Sequence, residues 1–455
     1  MTNQNKKILL VSSYAPPLLA GAPRFMANLL ETFPPESYTI LTSFYNIDNI
    51  SAKIGTWLPG KYIFYDNLTA TPTTRQHQEV APSEVAINPM VKLKKFLRKT
   101  FLFPAWVKAP LSAAVKMDLV AKLKRFLKRN SLVKALIAAP LILGQIPLII
   151  RHGRRAIKDD QSDLMIGFSD YGPAMVGTYY IHRATGIPFY IYLFDIYKGN
   201  LLPLTGKILA TIFEPRLIKA AQKIMVTNQE TKEFYRRRYG QKVADKIVVI
   251  HNSTNPDPYL KLQTPIIPHQ PPYYILFTGN VYWAQTRSLK NLITALDQLT
   301  DIDVRLKIYS PSPPEYLKAL GIASPKIEYN VAPGSEMPKI QSQADILFIP
   351  LSWQTQSPDI INTATPGKLT DFLIAGRPIL IHAPETSHLV KYAKENDFAA
   401  VVDEENITAL QNAIRQLIGD TALAQRLVTN AQRVFFTNHD IKKNSQLFQH
   451  YVLGN

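Results

Sequence analysis

Short apolar runs alternate along most of the chain with segments in which apolar residues recur every three or four positions. Lys7 to Ser12 and Tyr38 to Ser43 are nearly continuous apolar runs, which are typical of buried parallel strands. A helical pattern begins near Pro23, and the same order of strand and helix returns after Asp163 and after Tyr273. Strands that alternate with helices predict α/β domains built on parallel sheets.

Six prolines between Pro256 and Pro272 predict a linker between two domains. The predicted divisions are an N-terminal Rossmann-like domain at 1–255, the linker at 256–272, a second domain at 273–435 and a C-terminal helix at 436–455. Residues 46–90 are polar with scattered proline, and we interpret them as an excursion from the first domain.

Residues 90–158 interrupt the α/β pattern. The chain carries a net charge of +18, and residues 90–160 contain 17 Lys or Arg against three Asp. Phenylalanine and leucine recur among these cations at helical spacing, as at Leu93, Phe96 and Phe101. This pattern predicts a basic helical insert whose amphipathic helices lie on an anionic membrane. The alternative is that the helices pack on the domain core while their lysines are solvated.

The uncharged run from Ala135 to Ile150 lies inside this insert. It is shorter than the roughly 20 residues of a spanning helix and contains two prolines, so a shallow or re-entrant insertion is expected. Nucleic acid is a weaker alternative partner for the insert. Aliphatic rather than stacking aromatic side chains separate the cations, and we expect no nucleic-acid binding.

The composition excludes several other kinds of chemistry. The chain has no cysteine, so disulfides and thiolate metal sites are ruled out. The nine histidines show no metal-binding spacing, and no Gly-x-Ser-x-Gly elbow is present. The first apolar run is too short for a signal peptide, which predicts a cytoplasmic protein.

The stretch from Thr363 to Pro378 carries the clearest candidate chemistry. Thr365 is a good helix N-cap, Pro366 suits the first helical position and Gly367 allows a close approach to the backbone. Lys368 follows in the first turn. Free N–H groups and a lysine at a helix start predict a phosphate or diphosphate site.

Asp371 lies one turn beyond Lys368, near enough to reach a ribose hydroxyl. The alternative is an ordinary capped helix on which Lys368 and Asp371 form an exposed pair. The stretch is not a Walker P-loop, because Leu369 follows the lysine where Ser or Thr is required.

The segment PGKLTDFLIAGRPIL, residues 366–380, resembles the nucleotide-sugar site of GT-B glycosyltransferases of family 4. The resemblance implies that Asp371 replaces a glutamate that holds the donor ribose. A second family glutamate, which contacts the donor sugar, corresponds to Thr363 here. Pro366, Gly367 and Lys368 resemble a family subset in which Pro-(Ser/Gly)-Lys precedes the helix.

Other segments resemble the same family in the same order along the chain. The family's cleft loop corresponds to Gly21 and Arg24, and Asp195 occupies the second position of a His-Asp pair in which Phe194 replaces the histidine. The family's donor-phosphate loop corresponds to Gly279 and Asn280, followed by Arg287 or Lys290 as the basic residue that contacts the diphosphate.

The resemblance implies an α/β chain whose two Rossmann-like domains face each other across a cleft, with the insert in the N-terminal, acceptor-binding domain. It implies a retaining, metal-independent hexosyl transfer from a nucleotide-diphosphate sugar, with no separate cofactor, to a glycan or lipid-linked acceptor at the cytoplasmic membrane face. Such a reaction suits polysaccharide biosynthesis. The implied catalytic residues are Lys368, Lys290 and Asp195. The C-terminal helix is expected to cross back to the first domain, as in GT-B folds.

Three alternatives bear on this prediction. One is a GT-B sugar-nucleotide epimerase, and another is a non-catalytic, membrane-bound relative. The third concerns Asp301 and Asp303, which form an Asp-x-Asp sequence that holds a divalent metal in another class of glycosyltransferase. This pair lies between a helix and a strand, away from the predicted cleft, and we interpret it as a turn.

Overall fold

The computed structural model describes residues 6–18, 21–44, 56–66, 131–170, 172–200, 202–262 and 270–454, without the side chains of 131–138. Two sheets are built from these residues, one of seven strands and one of six, and all strand pairs are parallel. Helices separate the strands along the chain. The structure therefore confirms the predicted α/β fold of two Rossmann-like units.

The first sheet has the strand order β3-β2-β1-β4-β5-β6-β7. Its strands are β1 Ile8–Val11, β2 Tyr38–Thr42, β3 Lys61–Phe64, β4 Leu164–Phe168, β5 Phe189–Leu193, β6 Lys223–Val226 and β7 Ile247–Val249. Ile8 lies opposite both Tyr38 and Leu164, so the strand order reverses between β1 and β4. Such a reversal opens a crevice at the carboxyl ends of the strands.

Strand β3 lies within the segment predicted to be an excursion, and this is a correction. Its four residues are all half-buried and, among the described residues, pair with β2 alone, starting where Lys61 lies opposite Thr39. The apolar run of this edge strand, Tyr62 to Tyr65, is only four residues long and lies in a polar segment, which explains why the sequence pattern missed it.

The helices of the first unit lie on both faces of its sheet. They are α1 Ala22–Leu30, α2 Ser131–Asp160, α3 Pro173–Thr185, α4 Leu204–Ala220, α5 Gln229–Tyr239 and α6 Gln241–Ala244. A short helix after the sheet, α7 Asp257–Leu260, packs on the second unit, where Tyr259 is buried. Helices α2, α3 and α4 pack together over one apolar face, whereas α1 packs over the other.

Helix α2 forms the C-terminal part of the predicted basic insert, and residues 90–130 lie outside the described residues. Ile142, Ile149 and Ala156 are buried in the core of the first unit. One side of this part of the uncharged run therefore packs on the domain, as the alternative interpretation proposed, and shallow membrane insertion of its other side stays a prediction. None of the described helices is long and apolar enough to span a membrane.

The second sheet has the strand order β10-β9-β8-β11-β12-β13. Its strands are β8 Tyr273–Thr278, β9 Val304–Tyr309, β10 Ile327–Asn330, β11 Ile346–Pro350, β12 Ile379–His382 and β13 Ala400–Val402. Its helices are α8 Trp283–Gln298, α9 Pro314–Ala319, α10 Met337–Ser342, α11 Pro358–Thr363, α12 Lys368–Ile374, α13 His388–Asn396, α14 Ile407–Gly419 and α15 Thr421–Val434.

A last helix, α16 Ile441–Leu453, returns to the first unit and packs against α1. The Phe448 ring lies 5.4 Å from that of Phe33, and the hydroxyl of Ser445 donates to the carbonyl of Leu29 at 3.0 Å. The predicted linker is described only in part, because residues 263–269 lie outside the described residues. The two units are therefore joined twice, once by the linker and once by the returning helix α16.

Candidate active site

Lys368 and Gly279 come together at the end of β8, although 89 residues separate them in the sequence. Gly279 has φ +103°, which favours glycine, and a Cβ added there would lie 3.9 Å from the Lys368 Nζ atom. That Nζ atom lies 3.6 Å from the centroid of the Phe277 ring. The two segments predicted to bind donor phosphate are therefore neighbours in space.

The ammonium group of Lys368 is buried and has no hydrogen-bond partner in the described part of the chain. Burial lowers its pKa to about 7. Contact with an aromatic face offsets only part of the hydration free energy that a cation loses on burial. A ligand with negative charge would supply the missing interaction.

Helix α8 begins directly after the Gly279 loop. No side chain caps its N-terminus at Tyr282, and the side-chain amide oxygen of Gln285 in its first turn is buried without a partner in the described structure. An uncapped terminus of a sixteen-residue helix favours negative charge. Asn280 and Gly279 are exposed beside it.

The predicted cap of the second phosphate segment is wrong. Helix α12 begins at Lys368, with Gly367 at the N-cap position and no side-chain cap, so Pro366 precedes the helix. The Thr365 hydroxyl instead accepts a hydrogen bond of 2.8 Å from the side-chain amide of Asn228. The same amide donates to the Thr363 carbonyl, also at 2.8 Å. Competition from this interdomain partner explains the failed cap prediction.

Asn228 binds groups of both units through its side chain. It is fully buried, and its side-chain oxygen caps α5 by accepting from the backbone N–H of Thr231 at 2.8 Å. Its amide nitrogen meanwhile fixes the loop before Lys368. The sequence analysis missed this residue, although an asparagine at the start of a helical pattern is a recognisable N-cap.

Gly367 does allow a close approach, and the group that approaches is Phe25 of α1. A Cβ added at Gly367 would lie 3.2 Å from the ring of Phe25. The absence of a side chain here lets the first unit pack directly on the loop that carries Lys368.

Asp371 and Arg24 form an ion pair between the two units. The guanidinium donates to both carboxylate oxygens, at 3.0 and 2.7 Å, and to the Thr254 hydroxyl at 2.8 Å. The charge of Asp371 raises the pKa of Arg24 above its ordinary value. Burial raises the pKa of the nearby Tyr259 hydroxyl, which donates to Gln341 at 2.9 Å. The carboxylate predicted for ribose is thus bound to Arg24 in this structure.

Asp195 follows β5 at the carboxyl edge of the first sheet, as predicted. Its surface is reachable by solvent, but protein atoms surround it in the cleft, and this partial desolvation raises the pKa of its carboxyl. Tyr282 of the second unit is close enough that burial, together with the charge of Asp195, raises the pKa of its phenol to about 12. Asp195 therefore lies across the cleft from the start of α8.

The remaining predicted residues have other neighbours. Arg287 is exposed and donates to Glu405 at 2.5 Å, whereas the end of the Lys290 side chain packs beside Gly321. Thr363 is buried and its hydroxyl donates to the Asp359 carbonyl at 2.7 Å. Gly21 precedes α1 with φ +61° and positions the helix that carries Arg24.

Asp301 and Asp303 lie in the connection between α8 and β9, at the amino end of that strand. Asp301 accepts two hydrogen bonds from Arg415, at 2.8 and 3.0 Å, and Asp303 pairs with Arg305 at 3.0 Å. Within the described residues, no group of three His, Asp or Glu side chains is arranged to hold a metal ion.

Asp170 is a further polar residue that the sequence analysis did not select. It follows β4 at the strand-order reversal, and its carboxylate accepts from the N–H groups of Gly172 and Ala174 at 2.8 and 3.1 Å, and from the Ser13 hydroxyl. Burial raises the pKa of this carboxyl. Its position at the end of a buried strand was the available signal.

Two Rossmann-like units, with a lysine and a glycine turn meeting at the cleft between them, define the GT-B class of proteins. Comparison with known proteins supports this class. Residues 272–420 match the family model described as Glycosyl transferases group 1. No curated protein matches the chain by sequence.

Solved structures match over nearly the whole chain. Sucrose-phosphate synthase from Thermosynechococcus elongatus has a TM-score of 0.60 at 12% identity, covering 99% of this chain and 100% of that one. HepE from Anabaena, in complex with UDP-glucose, has a TM-score of 0.59 at 12% identity, covering 99% and 100%. A protein from Listeria monocytogenes described as a putative UDP-N-acetylglucosamine 2-epimerase has a TM-score of 0.52 at 9% identity, covering 99% and 98%.

The chain therefore has a GT-B fold that resembles glycosyltransferase family 4, and the resemblance predicted from the sequence is confirmed.

Proposed function

We propose that this chain is a glycosyltransferase that moves a hexosyl group from a nucleotide-diphosphate sugar to a glycan or lipid-linked acceptor, with retention of configuration and without a metal ion. One observation carries the proposal. The Lys368 ammonium is buried at the turn of the Gly279 loop and has no hydrogen-bond partner among the described residues. The match of residues 272–420 to glycosyl transferases supports it.

The proposed chemistry is electrostatic. A charge that develops on the leaving diphosphate is stabilised by groups that are already in place and already desolvated. Lys368 supplies a positive charge and the uncapped start of α8 supplies backbone N–H groups. The leaving phosphate would itself take the proton of the acceptor hydroxyl. Asp195, across the cleft, and Lys290 complete the proposed catalytic set, and Lys290 would have to leave its packing beside Gly321.

The donor would lie along the carboxyl edge of the second sheet. Gly279 and Asn280 would contact the diphosphate, with Arg287 or Lys290 beside them. Thr363, Thr365, Pro366 and Gly367 would line the loop toward the sugar. Asp371 would accept the ribose hydroxyls in competition with Arg24. Because a solved neighbour of the same fold is described in complex with UDP-glucose, uridine nucleotides are the first donors to test.

The acceptor would be presented at the cytoplasmic face of a membrane, in polysaccharide biosynthesis. The concentration of positive charge in residues 90–158 supports this location. Since α2 buries one side against the domain, the membrane contact is assigned to its exposed cations and to the charges of residues 90–130.

A non-catalytic relative is the second candidate, and a specific observation favours it. Both oxygens of Asp371 are occupied by Arg24, and Phe194 and Thr363 replace residues that the family uses toward the donor. An epimerase shares the fold but would need acidic and histidine side chains around the sugar that we do not identify.

A panel of nucleotide sugars distinguishes these functions. We expect a rise in melting temperature with one donor class, and slow release of the free sugar with the nucleotide diphosphate in the absence of acceptor. Conversion of a nucleotide sugar to its epimer, with or without loss of the nucleotide and with no transfer to any acceptor, would indicate an epimerase. Stabilisation without turnover, or no stabilisation at all, would favour the non-catalytic relative.

Vesicle flotation tests the proposed location independently of donor chemistry. The intact protein should float with anionic vesicles at low salt, and changing the lysines and arginines of residues 92–129 to glutamine should weaken binding. The control changes Lys318, Lys339, Lys391 and Lys394, four exposed lysines of the second unit, to glutamine, and it is compared with a variant in which four cations of residues 92–129 are changed. Protein that stays soluble at low salt would contradict the membrane assignment.

A further inference from the structure

Helix α4 has apolar side chains on two opposite sides. Its inner side, with Leu209, Phe213 and Leu217, is buried in the core of the first unit. Its outer side presents Leu204, Ile208 and Ile212, which are between 43% and 51% exposed. These three residues are four positions apart, so they form one line about 12 Å long on the helix surface.

An apolar stripe of this kind is unusual on a surface helix. A helix that is hydrophobic on all sides is normally buried, and single exposed aliphatics need no explanation whereas an aligned set does. Leu204, Ile208 and Ile212 face outward, and the opposite side of the same helix already packs in the core of the first unit. The stripe therefore requires a partner outside the described fold.

The charges around the stripe have one sign. Lys207, Arg216 and Lys219 are exposed on the same helix, and the Arg216 guanidinium lies 5.8 Å from the Phe213 ring. The one acidic residue of α4, Glu214, is buried and accepts from Tyr239 and Arg238 at 2.6 and 3.1 Å. The outer face thus offers apolar groups and positive charge without any exposed carboxylate.

The neighbouring helices extend this surface. Tyr180 of α3 is 43% exposed and its ring lies 5.7 Å from that of Phe213. Helix α2 packs against α4 and exposes Leu143, and the cations near its C-terminus border a shallow groove. The groove is lined by Pro147, Ile150, Ile157, Arg151, Arg154 and Lys158.

We propose that the outer face of α4 is a second membrane contact, which inserts Leu204, Ile208 and Ile212 among the headgroups of an anionic bilayer. Aliphatics that sit between cations match this partner, since the apolar groups enter the interface while the ammonium and guanidinium groups bind lipid phosphates. Nucleic acid fits less well, because the stripe offers aliphatic rather than stacking side chains.

This inference rests on the proposed membrane-side acceptor and adds a surface outside residues 90–158. It fixes the orientation of the first unit, because α2, α3 and α4 cover one face of its sheet. That face would lie toward the lipid, whereas α1 and α16 on the opposite face would point away from it.

The lack of cysteine allows a direct test. A single Ile208→Cys change, labelled with an environment-sensitive fluorophore, should shift to the blue on vesicles containing phosphatidylglycerol. It should remain unshifted on phosphatidylcholine alone. Val331→Cys is the matched control, since Val331 is a 76% exposed aliphatic in the second unit. The fluorescence of a label at this position should remain that of a water-exposed dye with either kind of vesicle.

A second measurement uses polar changes in the intact protein. The pair Ile208→Ser and Ile212→Ser should weaken flotation with anionic vesicles roughly tenfold or more, whereas Val331→Ser with Tyr316→Ser should not. Lys207→Gln should cost about fivefold at low salt and little at high salt. Donor-dependent thermal shifts should be unchanged in all of these variants, so a failure of lipid binding is separable from a failure of the proposed transferase.

Three results would overturn the inference. The Ile208 label could already be shielded before vesicles are added, which would show that another part of the chain or a second copy covers the stripe. The protein could float while the label stays in water, which would leave the membrane contact to other residues. The serine pair could bind vesicles as well as the unchanged protein.

Discussion

Arg24 and Asp371 join the two units through both carboxylate oxygens, at 3.0 and 2.7 Å. Asp371 is 6% exposed, and Arg24 also donates to Thr254, where the first unit meets the returning chain at Asp440. The carboxylate that was expected to bind ribose therefore also closes the cleft. Donor binding and domain closure would compete for the same group.

Arg24→Met should destabilise the protein by about 2–3 kcal/mol, because it leaves the Asp371 carboxylate buried without its cation. The figure is below the loss for a fully buried pair, since the Arg24 side chain is 37% exposed. Denaturant unfolding measures it. The control is Arg426→Met, which breaks the exposed pair with Asp397 and should cost under about 1 kcal/mol. Equal effects would show that the pair is not structural.

Lys368→Met should lower kcat/KM for the donor about a hundredfold, equivalent to about 3 kcal/mol of transition-state stabilisation. The fold should survive, because a buried ammonium that has no partner in the described part of the chain is replaced by an apolar side chain of similar length. Steady-state kinetics and thermal melting check both parts. Lys442→Met, at an exposed lysine of α16, is the control. Near-normal turnover in the Lys368 variant would contradict the assignment of this site.

Donor affinity should fall as the pH rises above 7. Burial lowers the pKa of Lys368 to about 7, so the free protein loses this positive charge near neutrality. The diphosphate binds the charged form, and above that pH affinity should decline toward tenfold per unit. Calorimetry between pH 6 and 9 measures the slope. Lys368→Met should bind weakly with a flat profile, and a sloping profile in that variant would place the titrating group elsewhere.

Transfer should persist in EDTA, because the proposed site uses Lys368 and backbone N–H groups in place of a metal. The Asp301→Ala and Asp303→Ala double change should also leave activity intact, since these carboxylates pair with Arg415 and Arg305 away from the cleft. Loss of activity in EDTA that manganese restores would show a metal-dependent class. Initial rates with and without each addition are sufficient.

Stability should fall on mild acidification because of three histidines at the domain junction. Burial lowers the pKa of His251 and His388 to about 4 and that of His439 to about 3. The unfolded chain binds these protons at pH 6.5, so stability is complete above that pH and is lost as the pH falls toward 4. For each of these histidines, the loss of folding stability between pH 6.5 and its lowered pKa is on the order of 3 kcal/mol.

His439 shows why the neutral form is preferred. Its Nδ1–H donates to the Asn252 carbonyl at 2.7 Å, which leaves Nε2 to accept from the Tyr392 hydroxyl at 3.1 Å. Protonation at Nε2 would break the second bond. Melting temperatures between pH 8 and 5 should therefore fall, and His388→Gln should reduce the slope. His450→Gln, at an exposed position, should leave it unchanged, and a flat profile in the original protein would contradict this account.

The sequence by itself determined the fold class and the main candidate site. Continuous apolar runs identified buried strands, because only parallel strands covered on both faces require them. Gly376, with φ +73°, follows the end of helix α12, where this backbone conformation strongly favours glycine. Lys368 was selected from local pattern, whereas Gly279 was selected from the family resemblance.

Only the tertiary structure decided which groups meet. Asn228 outcompeted the local N–H groups for Thr365, Arg24 took the carboxylate of Asp371, and Ile149 of the basic insert entered the core. The first two partners are 137 and 347 residues apart in the sequence, and Ile149 packs against Gly177 of a different helix. Local periodicity contains no information on such distances, because burial and pairing are properties of the assembled chain.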